Sequence, residues 1–223
     1  MREIVLDTET TGLEPSAGHR IVEIACLELV NRVPSGRRYQ TYVNPQRDIP
    51  KEAFRVHGLS MEFLSMHPLF TDVAEEFIAF LGEGNLVIHN AEFDLKFLNA
   101  ELALINQPPL EGFTIIDTVV LARRKFPGAS VSLDALCRRF SIDNSGRELH
   151  GAMLDTLLLA EVYLELMGGR QPGLGLAAEE LKAEGLTQTS RSTRVARPHT
   201  ASAEESSAHD KFVERLNDPI WNK

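Results

Sequence analysis

Glu3-Ile4-Val5-Leu6-Asp7-Thr8-Glu9-Thr10-Thr11-Gly12 is the stretch from which the rest of the chain is read. Its first half, residues 3–7, is apolar enough for a buried β-strand. Residues two apart on a strand share a face, so Asp7 and Glu9 present two carboxylates side by side at its end. Like charges at that range repel and raise one another's pKa. The pair calls for something positive between its members, and a hard, oxygen-ligated divalent cation suits. A strand that simply runs into a polar turn has the same composition, and Thr11-Gly12 follow. The pair therefore needs company from elsewhere in the chain to count as a site.

The frame around it is that of a folded, water-soluble protein. The 223 residues are 43% apolar and 25% charged, enough for one sizeable core with some chain left over. Met1-Arg2-Glu3 leads straight into the strand, with no charged segment ahead of an apolar one, so no secretory signal is expected. No apolar run approaches a membrane span. Cys26 and Cys137 sit in apolar contexts and read as small core residues of a reduced, cytoplasmic protein. The net charge is −9, and residues 170–223 contain eight basic and eight acidic residues, so all of it falls on residues 1–169. Nucleic-acid binders are usually basic, because neutralising phosphates supplies their affinity. Either nucleic acid is not the substrate, or bound cations and a partner protein bring the positive charge. Two divalent cations would offset four carboxylates.

Beyond the opening strand the pattern is α/β. Residues 20–30 and 37–43 read as two more strands, joined by short polar connections into an antiparallel meander. Residues 72–81 have helical periodicity and end at Gly82 and Gly84. Leu86-Val87-Ile88 is a short buried strand, residues 93–105 a helix, and Thr114-Ile115-Ile116 a fifth strand. Helices are expected at 118–125, 133–140 and 152–167. Strand–helix alternation after residue 72 predicts parallel pairing. The sum is a mixed five-stranded sheet flanked by helices over residues 1–168, followed by a flexible C-terminal tail. Residues 187–208 hold nine Ser or Thr and no aromatic residue, so 169–208 is expected to be a linker. In 209–223, Phe212, Leu216 and Ile220 recur every four residues with Trp221 alongside, an amphipathic segment suited either to a partner's groove or to folding back on its own domain.

Two further segments match the opening one. His89-Asn90-Ala91-Glu92-Phe93-Asp94 lies where a buried strand passes into a helix, and ligands in α/β sheets gather beyond strand carboxyl ends. His150-Gly151-Ala152-Met153-Leu154-Asp155 opens the last helix of the domain. Singly, Asp94 and Asp155 also read as first-turn helix acids, Asn90 as a cap, and His89 and His150 as polar residues with a local partner. Together, four carboxylates and an imidazole are the equipment of two-metal phosphoryl chemistry.

These three segments resemble the exonuclease motifs of the DEDDh 3′–5′ exonucleases, and within that group the epsilon, proofreading subunits of bacterial DNA polymerase III. Gly18–Ile24, Phe54–Leu59 and Ser132–Cys137 are similar too, so the resemblance covers residues 1–168. It implies a ribonuclease-H-like fold. It implies two Mg²⁺ or Mn²⁺ held by Asp7, Glu9, Asp94 and Asp155, with His150 as the general base. It implies that Glu52 and His57 contact the terminal nucleotide of a DNA 3′ end, as do Asp7, Glu9 and Asp155, with Leu13 and Phe93 as apolar surfaces for its base. For Phe93 and Val56, plain core packing is the other reading. In the tail, Gln171, Leu174 and Leu176 within 171–176 look like a sliding-clamp peptide, although a Gln and two Leu in a Gly-rich turn also arise by chance. Phe212, Leu216 and Trp221 look like the segment that docks on the polymerase catalytic (alpha) subunit. A small theta-like subunit is left open. Two other functions stay in competition: a DEDDh exonuclease acting on RNA or short oligonucleotides, and a scaffold bridging polymerase and clamp.

Overall fold

The computed structural model describes residues 1–147, 149–169 and 200–216. They fall into two units, 1–169 in one and 200–216 in the other. In the first, strands β1 (Arg2–Thr10), β2 (Ile21–Val30), β3 (Val33–Tyr42), β4 (Asn85–Ile88) and β5 (Ile115–Asp117) form one sheet in the order β3-β2-β1-β4-β5. The first three pair antiparallel, and β1-β4 and β4-β5 pair parallel. This is the mixed five-stranded sheet expected from the sequence. The central position of β1 explains its unbroken apolar run: Ile4, Val5 and Leu6 are all fully buried, because both faces of the sheet are covered.

The strand period sorts β1 onto two cores. Ile4 and Leu6 pack with α3 (Phe70–Leu81) and α4 (Ala91–Leu104), around Phe77 and Phe97. Val5 points the other way, into a core built with α5 (Thr118–Lys125), α6 (Leu133–Phe140) and α7 (Ala152–Leu166). The same alternation carries Asp7 and Glu9 to the α7 side and Thr8 to the α4 side. Short helices α1 (Lys51–His57) and α2 (Met61–Leu64) were not foreseen. They are short, and α1 leaves Lys51, Glu52, Phe54, Arg55 and Val56 exposed, so it shows no apolar stripe.

Strand β1 also runs further than expected, to Thr10. Its parallel pairing with β4 stops at Leu6–Ile88, whereas its pairing with β2 continues through Glu9–Glu23 to a bulge before Thr10. Asp7–Thr10 therefore projects past β4 with one edge free of a strand partner. Helix α4 fills that edge. An ion pair holds the helix there: Arg20 Nε and Nη2 donate to both Glu101 oxygens at 2.7 Å, and the Ile21 N–H donates to the same carboxylate. A bidentate charge-assisted pair of this kind fixes orientation as well as distance.

In the second unit, α8 (Ala203–Val213) starts from a capping box in which Ser202 Oγ accepts from the Glu205 N–H and Glu205 accepts from the Ser202 N–H. The helix crosses the 208/209 boundary drawn from composition, because a Ser-rich segment still holds a helix where one Ser caps it. Gln171, Leu174, Leu176 and Trp221 lie outside the described residues. Among the described residues, no helix is long and apolar enough to cross a membrane.

Candidate active site

Three segments meet where β1 outruns β4. On the side that β4 leaves open Thr8 has no strand partner, and Asp94 takes that place: its Oδ1 accepts from the Thr8 N–H at 3.0 Å and from Thr8 Oγ1 at 2.7 Å. Asp94 is thereby more than a helix-dipole acid; it is buried and stitched to the strand that carries Asp7 and Glu9. Asn90 sits at the N-cap of α4 with φ 70°, yet its side chain does not cap. Asp117 does so instead, accepting from the Asn90 and Ala91 N–H groups and also from the Val119 N–H at the start of α5. The β4–α4 corner is thus held by a carboxylate from β5. His89 lies in the same corner, with Nδ1 2.8 Å from Thr118 Oγ1.

On the other face, α7 begins at Gly151 and brings up Asp155. Glu9, His150 and Asp155 each offer a ligand atom within 4.8 Å of the others. The electrostatics show how closely the set is packed. Burial, then the charges of Asp94, Glu9 and Asp155, push Asp7 well above the carboxylate range. Burial, with Asp155 and Glu23, raises Glu9 to about 8. Burial raises Asp94 to about 7 against the hydrogen bonds from Thr8. Asp155 goes the other way: burial would raise it, but hydrogen bonds and charge from Arg147 and His150 outweigh that and lower it. Three crowded carboxylates with raised pKa values, beside a fourth held down by a guanidinium, form a donor set suited to hard divalent cations.

Three further residues of this centre stand outside the three motifs, although Glu23 lies in the Gly18–Ile24 stretch and Asp117 directly precedes a helix, the position of an N-cap. Glu23 faces Glu9 across the β1–β2 ladder and is buried; it accepts from Gln40 Nε2 at 2.7 Å and from the Ala152 N–H at 3.1 Å, which pins the start of α7. Asp117 is the cap just described. Arg147, its side chain almost wholly buried, donates to Asp155 twice, Nε to Oδ1 at 2.5 Å and Nη2 to Oδ2 at 2.6 Å. It also reaches Asp134 Oδ1 at 2.7 Å, and its Nη2 lies 2.8 Å from His150 Nδ1. An arginine only donates, so Nδ1 accepts and the ring proton sits on Nε2.

Two clefts flank the carboxylates. The larger, about 600 Å³, is lined by Glu9, Leu13, Glu52, Val56, His57 and Phe93, among others. All four residues expected to meet the nucleotide besides the carboxylates are therefore together. Val56 is 45% exposed, so it is not a core residue. Phe93 serves in both capacities, lining the cleft while packing on Phe97 at 5.1 Å. His57 is buried, its Nδ1 accepts from the Leu59 N–H at 3.0 Å, and its Nε2–H has no protein acceptor. Gly12 closes the rim under the His19 ring: a Cβ there would lie 2.4 Å from the imidazole. The smaller cleft, about 260 Å³, holds Asp7, His89, Asp134, Arg147, His150 and Asp155. The loop bearing His150 rests on α1: the His150 N–H donates to Val56 C=O at 2.9 Å, and Leu149 lies over Gly58.

Comparison with known proteins agrees with this geometry. A family model described as Exonuclease matches residues 4–163. The DNA polymerase III subunit epsilon of Rickettsia conorii is 49% identical over 225 residues, covering 97% of this chain and 96% of that protein. That of Escherichia coli is 43% identical over 220 residues, covering 94% and 90%. Among solved structures, exonuclease X in complex with 5′ overhanging duplex DNA superposes with a TM-score of 0.59 at 27% identity, covering 74% of this chain and 90% of that one. The nuclease domain of 3′hExo, a DEDDh family member bound to rAMP, gives 0.66 at 19% identity, covering 74% and 91%, a likeness of fold.

Proposed function

The chain belongs to the exonuclease family and, within it, to the epsilon subunits of DNA polymerase III, and from that premise we propose that it removes mismatched 3′-terminal nucleotides for the replicative polymerase, releasing each as a 5′-monophosphate. It is a 3′–5′ exonuclease, a phosphodiester hydrolase, with a proofreading role. The observation that carries the site assignment is the convergence of Asp7 and Glu9, Asp94, and Asp155 from three distant segments beside His150.

Asp7, Glu9, Asp94 and Asp155 would hold two divalent cations, Mg²⁺ or Mn²⁺. When bound, these supply Lewis-acid stabilisation of the attacking and leaving oxygens at phosphorus. The protein side of the reaction follows from the clefts. Leu13 and Phe93 present apolar surface to the terminal base. The unpaired, buried Nε2–H of His57 becomes a donor for an oxygen of the terminal sugar or phosphate once the ring is uncovered at the cleft, where the exposed Glu52 also stands. His150, half-exposed beside Asp155, takes the proton from the attacking water and passes it to solvent. The acidic domain draws its grip on DNA from the bound cations and from the polymerase complex. Tethering through the tail keeps the nuclease at high effective concentration near the primer terminus. The catalytic subunit would be engaged by Phe212, Leu216 and Trp221, and the clamp by Gln171, Leu174 and Leu176.

The test is digestion of a 5′-labelled primer–template with a terminal mismatch, in Mg²⁺ and in EDTA, beside a matched RNA oligomer. Mg²⁺-dependent shortening of the DNA from its 3′ end with the RNA spared supports the proofreading reading. Faster loss of the RNA would keep the chemistry and move the substrate to RNA.

A further inference from the structure

Among the described residues, Arg147 is the guanidinium that both oxygens of Asp155 engage. Asp7, Glu9, Glu23, Asp94 and Asp155 at the cluster, with Asp134 on the far side of Arg147, carry six negative charges if all ionise. Two divalent cations offset four, and Arg147 offsets one. Arg147 and a cation at Asp155 are then like charges drawn to the same carboxylate, at a range where repulsion is strong in a partly buried site. Asp134 holds Arg147 from the other side, through the Oδ1 contact at 2.7 Å, and is itself 42% exposed at its side chain. A second contact points the same way. Arg147 occupies the Nδ1 lone pair of His150, which leaves the ring proton on Nε2. For Nε2 to accept a proton from water, Nδ1 must carry its own hydrogen, and the acceptor in place for that tautomer is Asp155 Oδ2, 3.4 Å away.

We propose that Arg147 is a positioning residue acting as an exchangeable counter-ion: it holds Asp155 and His150, opposes cation binding at Asp155, and cedes Nδ1 of His150 as the cation binds. Cation affinity and the readiness of His150 are linked through one guanidinium. This rests on the assignment of Asp7, Glu9, Asp94 and Asp155 as cation ligands.

The test is calorimetric titration of the EDTA-stripped full chain with Mn²⁺ alone. Arg147→Gln removes the opposing charge, so its Kd tightens by at least about threefold; Asp134→Asn leaves Arg147 more firmly on Asp155, so its Kd weakens by at least about twofold. Arg147→Lys keeps the charge and stays near the wild-type Kd. A merely structural role for Arg147 weakens binding in both Arg147→Gln and Asp134→Asn, and that result overturns the proposal, as does an unchanged Kd in both. If Arg147→Gln does not fold, Arg147→Met, which keeps most of the stem and removes the charge, is titrated in its place with the same expected tightening. In ¹⁵N spectra of the imidazole, Mg²⁺ is expected to move the His150 proton from Nε2 to Nδ1; an unchanged tautomer overturns the link to His150. Wild type that binds no Mn²⁺ would instead refute the ligand assignment on which the proposal stands.

Discussion

Burial holds His57 below the ordinary histidine pKa, with Nδ1 committed to the Leu59 N–H. The unfolded chain takes up this proton near pH 6.5, whereas the folded chain takes it up only at lower pH. Between those values the unfolded state binds more protons, so the contribution of His57 to stability is present above pH 6.5 and is lost as pH falls. The melting temperature is expected to drop between pH 7 and 5.5, and His57→Asn should remove part of that drop; an identical pH profile in the variant would refute the buried neutral ring. His89, also lowered chiefly by burial, accounts for a further part. At this scale the sequence was informative about the groups to which the chemistry is assigned in the proposed function. Asp7, Glu9, Asp94, His150 and Asp155 stand in short motifs whose spacing is local. Asp117 stands where the N-cap of the helix over 118–125 is expected, but its hold on Ala91, like the roles of Glu23 and Arg147 at the site, is set by the fold. Glu23 meets the Ala152 N–H 129 residues away, and Asp117 meets Ala91 across 26. No periodicity encodes such a pairing.

Element by element, the strands and the long helices were legible because each buries a face, and burial writes itself into apolar spacing. The short α1 was not, since most of it faces the cleft or solvent. The extension of β1 to Thr10 was missed for a related reason: its last residues are polar, and their partners are Asp94 and β2 instead of a packed core. Helix α1 nonetheless bears on the role proposed for His150, because the His150 loop rests on it. Gly58, its C-cap, has φ 72°, and a Cβ there would lie 2.7 Å from Leu149 Cδ1. The Leu tip yields easily, so strain in the left-handed backbone dominates the cost, about 1 kcal/mol. Gly58→Ala is expected to lower kcat more than it raises KM, because Leu149 shifts together with its neighbour His150, with only that small loss of stability. Steady-state kinetics beside a thermal melt would check this; a wild-type kcat would show that the loop is positioned without α1.

Across the whole molecule, charge and tail belong to one argument. The −9 net charge is a poor fit to free DNA, and the excess falls on residues 1–169, which contain the site. The remaining segment carries the helix proposed to dock on the polymerase: α8 exposes Phe212 at 59%, with Leu216 just beyond it at 37%. Phe212→Ala with Leu216→Ala is expected to weaken binding to the polymerase catalytic subunit by about tenfold or more. Hydrolysis of free single-stranded DNA should be unchanged, and surface-bound polymerase would report the difference. Wild-type affinity in the double variant would place the contact elsewhere.

The central claim is that the carboxylates of β1 carry the hydrolysis. Its most direct test is single-turnover digestion of a mismatched primer by the full chain carrying Asp7→Ala and Glu9→Ala, with binding to the polymerase catalytic subunit measured on the same preparation. The account predicts a rate lower by roughly a thousandfold or more, as expected when both strand-borne cation ligands are lost, with polymerase binding retained. A double variant that cleaves at the wild-type rate would contradict it.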